Sequence, residues 1–200
     1  MKNILLFIMT NVLVISAFSQ TKESEAFQKS YELEYNKEYV KAISSVLTIY
    51  NADSYALNLR MGWLTYMNAD FIKSKMYYQK AIVLNPNSIE ALLGLAYPLS
   101  ALQNWEEIIR AYKKILQISE NHRLTNYRLA YIYYNKKKFE TANGYASKIA
   151  NLYPFDFDNN LLLGKINISL GNITIAKKYL NSALLYNPSS TEVIGLLKVL

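Results

Sequence analysis

Residues 75–88 read KMYYQKAIVLNPNS and residues 177–190 read KKYLNSALLYNPSS, with Lys, Tyr, Ala, Asn, Pro and Ser at the same relative places. The two stretches lie 102 residues apart, three times 34. A period of that size marks a chain built from one supersecondary unit repeated in space. Blocks beginning at Tyr55, Ile89, Arg123 and Phe157 bring the period out. Their eighth position holds Gly62, Ala96, Ala130 and Gly164, all small. Position 17 holds Phe71, Trp105, Phe139 and Ile173, position 20 holds Ser74, Ile108, Ala142 and Ala176, and position 32 holds Pro86, Glu120, Pro154 and Pro188. A fifth block, two residues shorter, fits upstream from Glu23 and places Ser30, Tyr39, Ala42 and Ser54 in register. The repeats are therefore 23–54, 55–88, 89–122, 123–156 and 157–190, followed by 191–200.

Inside each block the apolar spacing is helical, as in Leu92, Leu95, Ala96 and Leu99, then Ile108, Tyr112 and Ile115. Each block reads as two helices of three to four turns, joined at 68–70, 102–104, 136–138 and 170–172 by short polar turns. Proline near the block end stops the second helix, because the residue before it is pushed out of α geometry and its own nitrogen donates nothing. Small residues at positions 8 and 20 let the paired axes approach, and the aromatic at 17 is expected to fill the seam. Pro98, inside a first helix, removes one backbone bond and predicts a kink. The tail TEVIGLLKVL starts a sixth block and reads as a capping helix. Its polar stripe of Thr191, Glu192, Gly195 and Lys198 is narrow, so self-association or partner docking through that end is expected.

The residues resemble the tetratricopeptide repeat family. Block 55–88 meets its pattern best, with Gly62, Phe71, Tyr78, Ala81 and Pro86, and block 157–190 is similar, with Gly164, Ala176, Leu180, Ala183 and Pro188. The resemblance runs over residues 23–200. Its departures are Asn58, Asn126 and Asn160 where the family carries Trp, Ile115 and Ile149 at position 27, and Ile108 for Ala. It implies an all-α, right-handed superhelical solenoid of five antiparallel helix pairs plus a C-terminal cap. It also implies a concave groove lined from the first helix of each block, an extended surface of the kind solenoids use for binding.

Carried onto this sequence, the family's groove positions fall on Phe27, Tyr31, Leu59, Trp63, Tyr66, Leu93, Tyr97, Tyr127, Tyr131, Tyr134 and Lys165, with Arg60 and Arg128 close by. Tyr and Trp give large amphipathic contact area at low entropic cost, which suits a peptide or protein partner. The chain carries 18 Tyr, however, and an aromatic stripe at helical spacing also reads as packing. Relatives that clamp a C-terminal carboxylate use Lys and Asn where this chain has apolar and aromatic residues, so that ligand is disfavoured.

Composition narrows the function further. The chain has 52% hydrophobic residues, enough for a continuous core, and no cysteine, which removes disulfides, thiolate metal sites and a thiol nucleophile. The opening MKNILLFIMTNVLVISAFSQ has one Lys, an apolar run from Ile4 to Phe18 and Ala17-Phe18-Ser19 before Gln20. That is the layout of a signal peptide over 1–19, cut before Gln20, rather than of a span crossing a bilayer. The mature chain, 20–200, is expected to be exported by a bacterium to the periplasm or beyond, as one solenoid domain. Loss of Lys2 leaves 21 basic and 15 acidic residues, scattered rather than gathered on one face, which argues against nucleic acid. His122 is the sole histidine, and the sequence contains no phosphate loop, metal-ligand spacing or nucleophile elbow. No enzyme activity, cofactor or metal is expected. The reading is a binding module for a peptide or protein. The alternatives are a structural subunit of an envelope or secretion assembly and, behind it, carbohydrate binding, for which the groove offers few acids beyond Glu34, Glu90 and Asp158.

Overall fold

The computed structural model describes residues 22–200, and the signal peptide expected over 1–19 lies outside them. The described residues form eleven helices and no strand. They are α1 (22–35), α2 (Tyr39–Leu47), α3 (Tyr55–Met67), α4 (Phe71–Leu84), α5 (Ile89–Ala101), α6 (Trp105–Ile118), α7 (Arg123–Asn135), α8 (Phe139–Leu152), α9 (Phe157–Ser169), α10 (Ile173–Tyr186) and α11 (Thr191–Lys198). The chain divides into two compact units, the first ending at Ala111 and the second running over Tyr112–Leu200.

The turns fall at the expected places and all close in one way. The central turn residues Lys37, Ala69, Gln103, Lys137 and Gly171 have φ between 56° and 75°, the left-handed region. The next residue donates its N–H back five positions, as in Asp70 to the Thr65 carbonyl at 2.9 Å and Asn104 to that of Leu99 at 2.8 Å. This is the Schellman closure, which satisfies carbonyls left over at the end of a helix. Four of the five blocks hold it with a non-glycine residue.

The starts of helices are capped in register. Ser54, Ser88, Asp156 and Ser190 accept the backbone N–H three residues on, and His122 does the same with its ring, from Thr125. Before Pro86, Pro154 and Pro188 the residues Asn85, Tyr153 and Asn187 lie outside the helical region, with φ near −130° and α4, α8 and α10 already ended. The shortened first block loses its residues from its second helix: α2 has 9 residues where α4, α8 and α10 have 14. Helix α5 continues through the buried Pro98 to Ala101.

In the first unit α3 packs on α2, α4 and α5, around Leu57, Met61 and Leu64. Ser74 and Gly62 make the α3–α4 seam, the Ser74 hydroxyl donating to the Gly62 carbonyl at 2.7 Å. In the second unit α7 pairs with α8 and α9 with α10, with Ala130, Ala142 and Ala176 fully buried at the seams. The aromatic position is less uniform than expected. Phe71 and Phe139 are partly covered, packing on Tyr66 and Tyr134, while Trp105 is 43% exposed. On the cap, Val193 is buried, and Leu196, Leu197 and Leu200 pack with it against Leu180 and Ala183. Most of the apolar tail thus has an intramolecular partner, although Val199 is exposed.

The three asparagines at position 4, departures from the family pattern, tie down the loops between repeats. The Asn58 amide donates to the carbonyls of Ala52 and Ser54, Asn126 to those of Glu120 and His122, and Asn160 to that of Pro154. Each reaches back six residues to the loop that precedes its own helix, and all three are buried.

Candidate functional site

The first unit holds a cleft of about 790 Å³, bounded by α1, α3 and α5 with Tyr78 of α4 at its floor. Seven of the expected site residues line it: Phe27, Tyr31, Leu59, Arg60, Trp63, Leu93 and Tyr97. Tyr66 stands behind them, its ring 5.8 Å from Trp63 and 5.4 Å from Tyr97, and Trp63 meets Tyr97 edge-on at 5.8 Å. Three aromatic side chains from two successive first helices therefore form one wall. Gly62 and Gly94 make the floor possible. Tyr78 is 3% exposed, and a Cβ on Gly94 would come within 2.2 Å of its ring. Burial raises the Tyr78 phenol well above its usual range.

Arg60 does something other than the sequence implies. Instead of standing free beside the aromatics, its side chain is 5% exposed and ion-paired to Glu34. Its Nε donates to the Ser30 hydroxyl at 2.9 Å, and its guanidinium lies 3.9 Å from the centre of the Tyr31 ring. Glu34 also accepts from the Trp63 indole N–H. One carboxylate from α1 thus orients both the arginine and the tryptophan, and a cation–π stack closes the group from outside. One guanidinium nitrogen, Nη2, is buried without a hydrogen-bond partner among the described residues. At the opposite rim the Tyr55 hydroxyl shares a hydrogen bond with Ser88 at 2.7 Å and donates to Glu90 at 3.3 Å. Burial is also the main reason the Tyr55 phenol is raised.

The remaining expected residues sit in the second unit. Tyr127 and Tyr131 stack with centroids 6.5 Å apart, Tyr127 half-buried and Tyr131 53% exposed. Tyr134 packs on Phe139, and Arg128 donates to the Tyr112 hydroxyl at 2.9 Å. Lys165 is engaged by Glu192 of the cap at 2.5 Å rather than presented to a groove. This unit also holds a cleft of about 550 Å³ that sequence reasoning missed. It is lined by Arg123, Asp156, Asp158, Tyr153, Phe155, Phe157 and Tyr186, with Arg123 bound to Asp156 at 2.6 Å. Two of its aromatics, Tyr153 and Phe155, come from the loop before α9, which lies outside the family's groove positions, and Phe157 and Tyr186 come from α9 and α10; the run YPFDFD at 153–158 is its signal in the sequence.

His122 caps α7 through Nδ1, 2.8 Å from the Thr125 hydroxyl, and burial lowers its pKa. Among the described residues no three His, Asp or Glu side chains gather as a metal site, and no helix is long and apolar enough to cross a membrane.

Paired antiparallel helices with seams of small residues, repeated every 34 residues, define a helical-repeat protein whose first-unit cleft is built mainly from first helices. Models of the family described as Tetratricopeptide repeat match residues 125–156 and 157–190, so this part of the chain carries tetratricopeptide repeats. Solved structures share its fold. A tetratricopeptide repeat protein from Parabacteroides merdae superposes with a TM-score of 0.76 at 18% identity, covering 88% of this chain and 71% of that one. MamA from Desulfovibrio magneticus RS-1 gives 0.72 at 14% identity, over 85% of this chain and 97% of that one. YrrB, described as a TPR protein with an unusual peptide-binding site, gives 0.71 at 14% identity, over 92% and 97%. No curated protein matches the chain in sequence.

Proposed function

We propose that the protein is a non-catalytic module that binds an extended segment of a partner protein in the cleft of its first unit. The observation that carries this reading is the pair Trp63 and Tyr97, backed by Tyr66, with the three rings in contact and the first two open to a volume of about 790 Å³. Aromatic rings fixed in advance lose little entropy on binding and are the side chains that dominate interface energetics. The peptide-binding site of YrrB, a protein of the same fold, is consistent with such a use.

Tyr97 is 39% exposed and offers the cleaner test, since Trp63 also packs on the core and donates to Glu34. A peptide display library selected on the wild-type protein should yield ligands whose affinity falls by about 2 kcal/mol or more in Tyr97→Ala, with a small change in melting temperature. Ligands unaffected by that change would place binding elsewhere.

A second reading, a structural subunit of an envelope assembly, draws on the outer face of α4, where Ile72, Met76 and Val83 are exposed along one stripe. Export to the periplasm or beyond, after cleavage before Gln20, belongs to both readings. It is tested by the N-terminal sequence of the protein recovered from its native cell; an N-terminus at Met1 would refute it.

A further inference from the structure

We infer that the occupant of the first-unit cleft carries a basic side chain, lysine or arginine, and that Glu90 is its counter-ion. The inference rests on the peptide-binding reading above and adds the chemistry that selects the peptide. The charged residues that line the cleft are Arg60, whose partner Glu34 lies beside it, and Glu90. Arg60 and Glu34 neutralise each other, both largely withdrawn from solvent, and the Tyr31 ring covers the guanidinium. The leftover charge is the carboxylate of Glu90, which is exposed and, among the described residues, accepts a single 3.3 Å hydrogen bond, from Tyr55. It lines a cleft walled by aromatic rings, whose electron-rich faces offer an ammonium or guanidinium group cation–π attraction as well as the ion pair.

An anionic occupant is poorly served. The guanidinium nitrogen of Arg60 that lacks a partner is buried, so an incoming carboxylate would first have to displace Tyr31 or Glu34. The chain as a whole is basic, with 22 Lys and Arg against 15 Asp and Glu, so long-range attraction does not draw a cation to it. Selection has to come from the site, within about a Debye length of 8–10 Å. The second-unit cleft repeats the pattern independently. Arg123 is taken up by Asp156, and Asp158 is left among Tyr153, Phe155, Phe157 and Tyr186. Glu90 and Asp158 both stand at the second position of their repeats.

The test uses Trp105→Phe as the background, which leaves Trp63 as the single tryptophan and reporter. Three blocked peptides, acetyl-Ala-Leu-Xaa-Leu-Ala-amide with Xaa as Arg, Gln or Glu, are titrated to millimolar concentration against Trp63 emission. The Arg peptide is expected to bind about tenfold tighter than the Gln peptide. Glu90→Gln should bring the two level, Glu90→Lys should transfer preference to the Glu peptide, and added salt should weaken the Arg peptide alone. Far-UV circular dichroism on each variant checks that the fold is intact. If all three peptides bind equally and lose affinity in Tyr97→Ala, the cleft is a peptide site and the cationic selection is wrong. If the Arg peptide binds but ignores both Glu90 changes, the assignment of Glu90 is wrong. If none binds, the inference and the reading beneath it both fail.

Discussion

Glycine 94 offers a test of how the first-unit cleft is built. Adding a methyl group to a glycine inside a helix stabilises by about 0.5–1 kcal/mol, because the unfolded chain loses freedom. At Gly144 and Gly195 the new Cβ would meet nothing within 4 Å, so Gly144→Ala should show that gain in full. At Gly94 it would lie 2.2, 2.7 and 2.8 Å from three ring atoms of Tyr78. The ring cannot retreat, since its other side is already against Gly62, where a Cβ would stand 2.9 Å away. Overpacking of this kind costs about 1–3 kcal/mol. The helix term is common to both sites, so the difference between Gly94→Ala and Gly144→Ala isolates the clash.

Urea unfolding followed by circular dichroism gives the two midpoints. A Tyr78→Leu background supplies the control. There Gly94→Ala should cost much less, with a coupling of about 1–3 kcal/mol between the positions. Within the second unit, Gly164→Ala should likewise fall below Gly144→Ala, since its Cβ would stand 2.5 Å from the buried Leu180. A Gly94→Ala protein as stable as Gly144→Ala, with no coupling to Tyr78, would refute the wedge. It would also undo the account of why the cleft floor lies where it does.

Replacing a left-handed turn residue by glycine removes strain of about 1 kcal/mol, so Ala69→Gly and Gln103→Gly should each raise the urea midpoint, whereas Gly171→Ala should lower it. Cutting a loop tie should cost about 1–3 kcal/mol: Asn160→Leu strands the Pro154 carbonyl, and thermal unfolding of this variant beside Asn135→Leu, an exposed site, reads the difference. His122 links stability to pH. Burial lowers its folded pKa below the ordinary 6.5, so the unfolded chain binds the proton more readily. The stabilisation is full above 6.5 and is lost as pH falls from there towards the folded value. Stability measured across that window should rise with pH in the wild type and rise less in His122→Asn, which keeps a capping acceptor and does not titrate.

The repeat, the helix limits and the four interior turns are legible in the sequence because a 34-residue period constrains every position several times over. Small residues at the seams and prolines at the block ends carry the same message independently. The left-handed turn residues are hidden because Lys37, Ala69, Gln103 and Lys137 occupy places that glycine would have announced. Asn58, Asn126 and Asn160 looked like departures because their partners are backbone carbonyls, which leave no mark on the sequence.

The site is legible by position and illegible by state. Register brings Phe27, Tyr31, Leu59, Trp63, Leu93 and Tyr97 to one cleft, as block positions imply. Register says nothing of what a charged side chain already holds. Arg60 finds Glu34 in the preceding repeat, 26 residues upstream, and Lys165 finds Glu192 on the cap. Both cations read as groove charges until their partners are placed. Once those pairs are placed, the charge left to face an occupant of the first-unit cleft is that of Glu90. The affinity of an arginine-bearing peptide over its glutamate twin measures that charge directly.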